Sequence, residues 1–276
     1  MAATPPPIET EALIIGAGPA GLFLAFQLGL QEVACHLVDV LPEPGGQCAA
    51  LYPDKPIYDL PGLPVCSGRE LTERLLQQLR PFNPPLHLGQ LVSSVQRQPD
   101  GRWLVRSNGQ SNGPNSSQAW LAPTVFIAAG VGAFVPRKEA LPELEPFEHS
   151  APAQVCYHDL PPEAALATAR HVVVHGGDAA AVELALQRKL LPVDSATMAS
   201  AEPGLYAVGD INHYPGKRKL IVCAFHEATL AAFAAAAQLR PGQRQLLQYT
   251  TTSPRLQQLL GVGGEAGAGW PAAGPV

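Results

Sequence analysis

Three glycines and one acid carry the most chemistry in this chain. Gly16, Gly18 and Gly21 stand in the spacing G-x-G-x-x-G, after a short apolar run at 13–15 and before an apolar stretch at 22–30. In a strand–turn–helix, the first glycine makes the tight turn. The second lets backbone approach a pyrophosphate, and the third lets helix pack on strand. Unpaired N–H groups and the positive dipole end at the helix start attract phosphate. A second apolar run, 34–38, ends on Asp39, 18 positions past Gly21, near the spacing at which a carboxylate accepts hydrogen bonds from an adenosine ribose. Like charge at that place repels a 2′-phosphate, so the pattern fits FAD or NAD rather than NADP.

The elements that must hold these residues follow from periodicity. Residues 12–40 read as one β-α-β unit, and 41–64, with six prolines and an adjacent glycine pair, as an ordered connecting loop. A helix is predicted over 67–79, with Ser67 as N-cap, Glu70 completing a capping box, and Leu71, Leu75, Leu76 and Leu79 as its apolar stripe. Short strands are expected at 86–97, 102–106, 119–121 and 124–129, with an exposed polar turn over 107–118. A second strand–turn–helix begins at 171 and runs through 187, with Gly177 and Ala180 in the later turn positions. His175 takes the place of the first glycine, and its side chain competes for the room a pyrophosphate needs. Fewer than 60 residues separate Phe134 from Pro192, whereas a domain of this kind wants on the order of 100 or more. The second unit therefore reads as a stub. The chain then returns through a strand at 204–210 ending on Asp210, a basic loop at 211–219 and an Ala-rich helix at 224–239.

Composition bounds the rest. The 276 residues are 46% hydrophobic and 15% charged with a net charge of −5, and no long basic run offers a footprint for nucleic acid. Residues 1–11 hold neither a basic residue nor an apolar stretch, so no signal peptide is expected. His226 and Glu227 interrupt the Ala-rich helix, which reads as buried rather than membrane-spanning. A soluble, cytoplasmic protein is predicted. Five scattered cysteines, Cys35, Cys48, Cys66, Cys156 and Cys223, form no short pair, and reduced thiols are expected, with no metal site. Cys48 lies closest to the expected cofactor.

Four stretches together resemble one family: G-A-G-P-A-G at 16–21, G-G-Q-C-A-A-L-Y-P-D-K-P-I-Y-D-L-P-G at 45–62, I-A-A-G-V-G-A-F-V-P-R at 127–137, and G-L-Y-A-V-G-D-I-N-H-Y-P-G-K-R-K-L-I at 204–221. They are similar to the thioredoxin-reductase-type ferredoxin or flavodoxin–NADP reductases, which are two-dinucleotide-binding flavoproteins. The C-x-x-C of thioredoxin reductases themselves is missing. The resemblance implies an α/β fold, with a discontinuous three-layer Rossmann-like FAD domain at 8–134 plus 193–260. A shortened remnant of the NADPH domain would occupy 135–192, and residues 1–7 and 261–276 are expected to be disordered tails.

The resemblance also implies site residues. Gly16, Gly18, Pro19, Ala20 and Gly21 would line the FAD pyrophosphate and Asp39 the ribose. Gln47 and Tyr52 would sit by the flavin, with the Tyr52 ring stacked on it. Val92 would meet the adenine end, Phe134 would pack near the ring, and Asp210 would accept a hydrogen bond from the ribityl or phosphate region. Thr251, in a T-T-T run that leaves its register open by one, matches a C-terminal hydroxyl residue beside the flavin. No side chain is expected to act as catalytic acid, base or nucleophile. The expected activity is an FAD oxidoreductase exchanging electrons with an acidic protein such as ferredoxin or flavodoxin, as a homodimer, with NADPH use lost or weakened. Lys217, Arg218 and Lys219 are candidate cations for such a partner, a solvated loop being the plainer reading. The alternative is a flavin-binding or interaction module without turnover.

Overall fold

A computed structural model describes residues 6–109, 117–130, 132, 190–243 and 251–260. The chain packs as two units, Met1–Gly132 with Lys189–Val276 and Ala133–Arg188. The second unit, with the 171–187 turn, Cys156 and Phe134, lies outside the described residues, as do 110–116 and both tails.

The first unit opens with β1 (Ile8–Glu9), β2 (Ala12–Ile15), α1 (Pro19–Leu30), β3 (Cys35–Val38), α2 (Gly46–Ala50), β4 (Pro56–Ile57), β5 (Cys66–Ser67) and α3 (Gly68–Leu79). It continues with β6 (Leu86–His87), β7 (Gln90–Arg97), β8 (Trp103–Gly109), β9 (Ala119–Ala122) and β10 (Thr124–Ile127). After the second unit come β11 (Leu191–Pro192), β12 (Leu205–Ala207), β13 (Asn212–His213), α4 (Ile221–Leu239) and α5 (Pro254–Leu259).

A parallel sheet ordered β12-β10-β2-β3-β6 forms the middle layer. Because side chains alternate across a strand, each central strand feeds two cores. Ala12, Ile14, Leu37, Phe126 and Tyr206 face the helices, packing with Leu24, Leu28, Leu75 and Ala232. Leu13, Val38 and Val125 face a second sheet, ordered β1-β9-β8-β7, and pack against Trp103, Val105 and Trp120. The result is the expected three layers: helices, parallel sheet and antiparallel meander.

Local signals account for most boundaries. Ser67 Oγ accepts the Glu70 N–H while the Glu70 carboxylate accepts the Ser67 N–H, so the capping box is fully formed. α1 starts three residues before the apolar stretch, because Pro19 suits the first helical position. Two expectations give way. The 41–64 connection is not all loop, because α2 forms within it, entered through Gly45 at φ +119° and Gly46 at φ +56°. The single strand expected over 86–97 is two, parted at Gly89 with φ +68°, so that β6 joins the parallel sheet and β7 the meander. α4 is long and apolar enough to cross a membrane. Here it packs into the helical layer, with Ala228, Ala231, Ala232 and Ala235 fully buried and the Phe23 and Phe225 rings in contact at 4.8 Å. Cys35, Cys48 and Cys66 are buried free thiols and Cys223 is half-buried and free.

At the β3–β6 edge, His36 Nδ1 and His87 Nε2 stand 3.0 Å apart, and His87 rests edge-on against Trp120. Burial lowers both imidazole pKa values, and for His87 the His36 neighbour lowers it further. The folded protein then binds fewer protons than the unfolded chain, so the pair's contribution is complete above about pH 6.5 and lost as pH falls below it. The urea midpoint should therefore drop between about pH 7 and about pH 5. A His36→Gln, His87→Gln variant should flatten that slope, and an unchanged slope would assign the loss to other groups.

Candidate functional site

Strand order reverses between β2 and β10, and in an open α/β sheet the crevice beyond the carboxyl ends of such strands is the ligand site. The sequence-predicted residues gather there. Gly16, at φ +113°, leaves β2 so closely against β10 that an added Cβ would lie 2.3 Å from the Ala128 carbonyl oxygen. A Cβ on Gly21 would lie 1.9 Å from the Gly16 carbonyl oxygen, which is the close packing of helix on loop that the third glycine permits. Gly18 caps α1 without any side-chain bond to the helix, and no acid stands in its first turn. The leading N–H groups of α1 are thus left for an anion.

Asp39 follows β3 and bridges the site. One carboxylate oxygen accepts the Ala17 N–H at 2.5 Å and the other accepts the Leu41 N–H at 2.8 Å. A carboxylate offers about four lone-pair positions, so acceptor capacity remains for ribose hydroxyls. Burial pushes the Asp39 carboxyl up, opposed by these backbone hydrogen bonds. Val92 lies on β7 just past Gln90, whose N–H donates to the Asp39 carbonyl, with an irregularity in the β7–β8 register beginning at Val92.

On the other side, the Gly45 N–H donates to the Ala17 carbonyl. Gly46 crosses Gly18 so closely that its Cβ would stand 2.9 Å from the Gly18 Cα, and a Cβ on Gly130 would stand 3.1 Å from Gln47 Nε2. Tyr52 is half-buried, with its hydroxyl 3.7 Å from Cys48 Sγ and Lys55 Nζ 5.9 Å from its ring centre. Burial raises the Tyr52 and Cys48 pKa values, and the Asp210 carboxylate adds to both, which brings Asp210 to this wall. Cys48 is accordingly held as a thiol. Asp210 lies not at a strand end, as its position after an apolar run suggests, but in a 3-10 turn, Gly209–Ile211, where Gly209 packs on Ala20.

Thr251 is not among the residues gathered here, and one cation departs from the sequence reading. Thr251 is exposed, and the α5 that follows it is fastened to the far end of α1 by the Arg255–Glu32 ion pair at 2.9 Å. A 12-residue helix is roughly 18 Å long, so that anchor is a helix length from the glycine loop. Lys217 is not a solvated cation: its side chain is 7% exposed and paired with fully buried Glu227 on α4. Arg218 and Lys219 are exposed. Sequence reasoning missed Glu227 and its partners. The available signal was one acid set in an otherwise alanine-rich helix.

These features define a Rossmann-type dinucleotide-binding fold. A family model described as an NAD(P)-binding Rossmann-like domain matches residues 14–79. The chain is 41% identical to a ferredoxin–NADP reductase of Leptothrix cholodnii over 350 aligned positions, covering 92% of each. It is 42% identical to one of Acidovorax sp. over 358 positions, covering 94% of this chain and 97% of that one. The chain belongs to the ferredoxin–NADP reductases, a family of oxidoreductases. An alignment of 350 positions exceeds the 276 residues here, so the relatives carry residues that this chain lacks. Among solved structures, thioredoxin reductase from T. acidophilum superposes with a TM-score of 0.56 at 14% identity, covering 83% of this chain and 98% of that one. A ferredoxin-flavin thioredoxin reductase from Clostridium acetobutylicum gives 0.55 at 15%, covering 84% and 98%, a likeness of fold.

Proposed function

We propose that this chain binds FAD in the switch-point crevice and exchanges electrons with a redox protein such as ferredoxin or flavodoxin, with NADPH use lost or severely weakened. The observation that carries the cofactor reading is the meeting of three glycine turns, at 16–21, 45–46 and 209, around an uncapped helix N-terminus. At Gly16, Gly21 and Gly46 backbone approaches backbone with no room for a side chain, while Gly18 between them stays open toward the crevice, as a pyrophosphate cradle requires. Gly16, Gly18, Pro19, Ala20 and Gly21 hold the phosphates, and Asp39 the ribose. Gln47, Tyr52 and Asp210 bound the ring end, and Val92 the adenine end. Phe134 belongs to this set by family resemblance alone. Bound flavin supplies reversible electron transfer, and the residues named bind and orient it.

The loss of NADPH use rests on the sequence between Phe134 and Pro192, too short for a complete dinucleotide domain, and on alignments with relatives that exceed the chain's length. FAD-loaded protein should show a flavin band that survives excess NADPH under anaerobic conditions and bleaches on adding reduced ferredoxin. Bleaching by NADPH would overturn the reading of the shortened unit. A band that no donor bleaches would favour a flavin-binding module without turnover. Tyr52→Ala should shift the band while the far-ultraviolet circular dichroism stays that of the parent protein, and an unmoved band would remove Tyr52 from the ring. A homodimer in the cytoplasm is the setting this reading carries, and sedimentation of the full chain tests the first part.

A further inference from the structure

Gly209 is gripped from both sides by the two halves of one buried ion pair. Its N–H donates to Glu227 Oε2 at 2.8 Å, and its carbonyl accepts from Lys217 Nζ at 2.9 Å. Lys217 Nζ also bonds Glu227 Oε1, and Tyr214 O–H donates to that same oxygen at 2.9 Å. Asn212 Nδ2 donates to Oε2 at 2.9 Å, so four donors saturate a carboxylate that is 0% exposed. The loop after β13 is folded back to deliver the lysine: Lys217 N–H bonds the Tyr214 carbonyl, and Gly216 adopts φ +85°. Gly209 itself is at φ +79°, and a Cβ there would stand 3.3 Å from the Ala20 Cβ in the first turn of α1. Its neighbour is Asp210.

We infer that Lys217 and Glu227 are positioning residues that clamp Gly209, through the peptide on each side of it, against the α1 N-terminus before the cofactor arrives. The inference rests on the FAD reading of the crevice and adds to it two residues that touch no cofactor. With the peptide before it held at its N–H and the peptide after it held at its carbonyl, Gly209 has both backbone torsions fixed, and has lost the rotational freedom that binding would otherwise have to remove. A buried charge pair is an uneconomical way to gain stability, since neutral replacement of both partners is often harmless. What neutral replacement would not supply is the hold on both the N–H and the carbonyl of Gly209.

The test follows from that asymmetry. In the double variant Lys217→Met, Glu227→Gln, the new amide still accepts from Gly209 N–H and can donate to the Tyr214 hydroxyl, but nothing holds the Gly209 carbonyl. Flavin-free full-length protein is titrated with FAD, and its urea midpoint is measured alongside. The double variant should unfold near the parent's midpoint, bind FAD at least about tenfold more weakly, and show an altered bound-flavin spectrum. Parent-like affinity and spectrum would overturn the inference, leaving the pair a purely structural fixture. Hydrogen exchange on the flavin-free parent gives a reading that does not depend on the variant folding. The Gly209 amide should be protected to the level of the β10 amides, and loop-like exchange there would also overturn the clamp. Failure of the parent itself to take up FAD would overturn the cofactor reading and the clamp with it, an outcome visible before any variant is made.

Discussion

Lys217→Met alone is expected to cost the folded protein about 3–5 kcal/mol, the usual consequence of removing one partner from a buried pair. Glu227 has no access to water, and the lysine is its only cationic partner among the described residues. Without it, the carboxylate keeps three neutral donors, Gly209 N–H, Asn212 Nδ2 and Tyr214 O–H, and an uncompensated charge. Burial and the hydrogen bond to Glu227 push the Tyr214 hydroxyl up to about 12, so it stays a neutral donor to the carboxylate. Glu227→Gln alone should be costly for the opposite reason, because Lys217 is then the unpaired ion. Neutralising both should return most of the loss. Urea denaturation of the three variants at matched pH checks this, and single variants within about 1 kcal/mol of the parent would mean that the pair is solvated in solution.

Gly21→Ala is expected to have the larger effect on the site. A methyl group at that position falls 1.9 Å from the Gly16 carbonyl oxygen and 3.4 Å from the Ile14 Cγ2. The obstructing atom is backbone, so α1 must move off the glycine loop, taking its N–H groups away from the phosphates. FAD affinity should fall by at least about a hundredfold, roughly 2.7 kcal/mol, and the protein should purify without yellow colour. Gly62→Ala makes the control. Gly62 also lies at positive φ, +80°, but a Cβ there meets nothing within 4 Å, so only backbone strain of about 1–2 kcal/mol is introduced. FAD retention equal to the parent's in Gly21→Ala would show that the loop does not carry the cofactor.

Much of this was legible in the chain. Strand, glycine turn, helix and Asp39 are local in sequence, and their order alone sets the β2–α1–β3 unit. The capping box at Ser67 and Glu70 is legible for the same reason, since both of its bonds lie within one helical turn. The three layers follow from alternation within the strands, because apolar residues on both faces demand a cover on each side. The short α2 was not legible: five residues give no helical period to read, and its entry depends on how Gly46 fits under Gly18.

What only the tertiary structure decided is the identity of partners distant in sequence. Lys217, Arg218 and Lys219 are chemically alike as a run of cations, yet one is buried against a carboxylate ten residues on and two face water. Thr251 carries a hydroxyl fit for a cofactor, but the Arg255–Glu32 pair fastens its neighbourhood to the other end of α1. The sequence by itself determined which local shapes form, because turns, caps and alternation depend on a few adjacent residues. Which charges end up dry and paired depended on the packing of elements far apart in the chain, because burial is a property of the assembled layers and not of any segment.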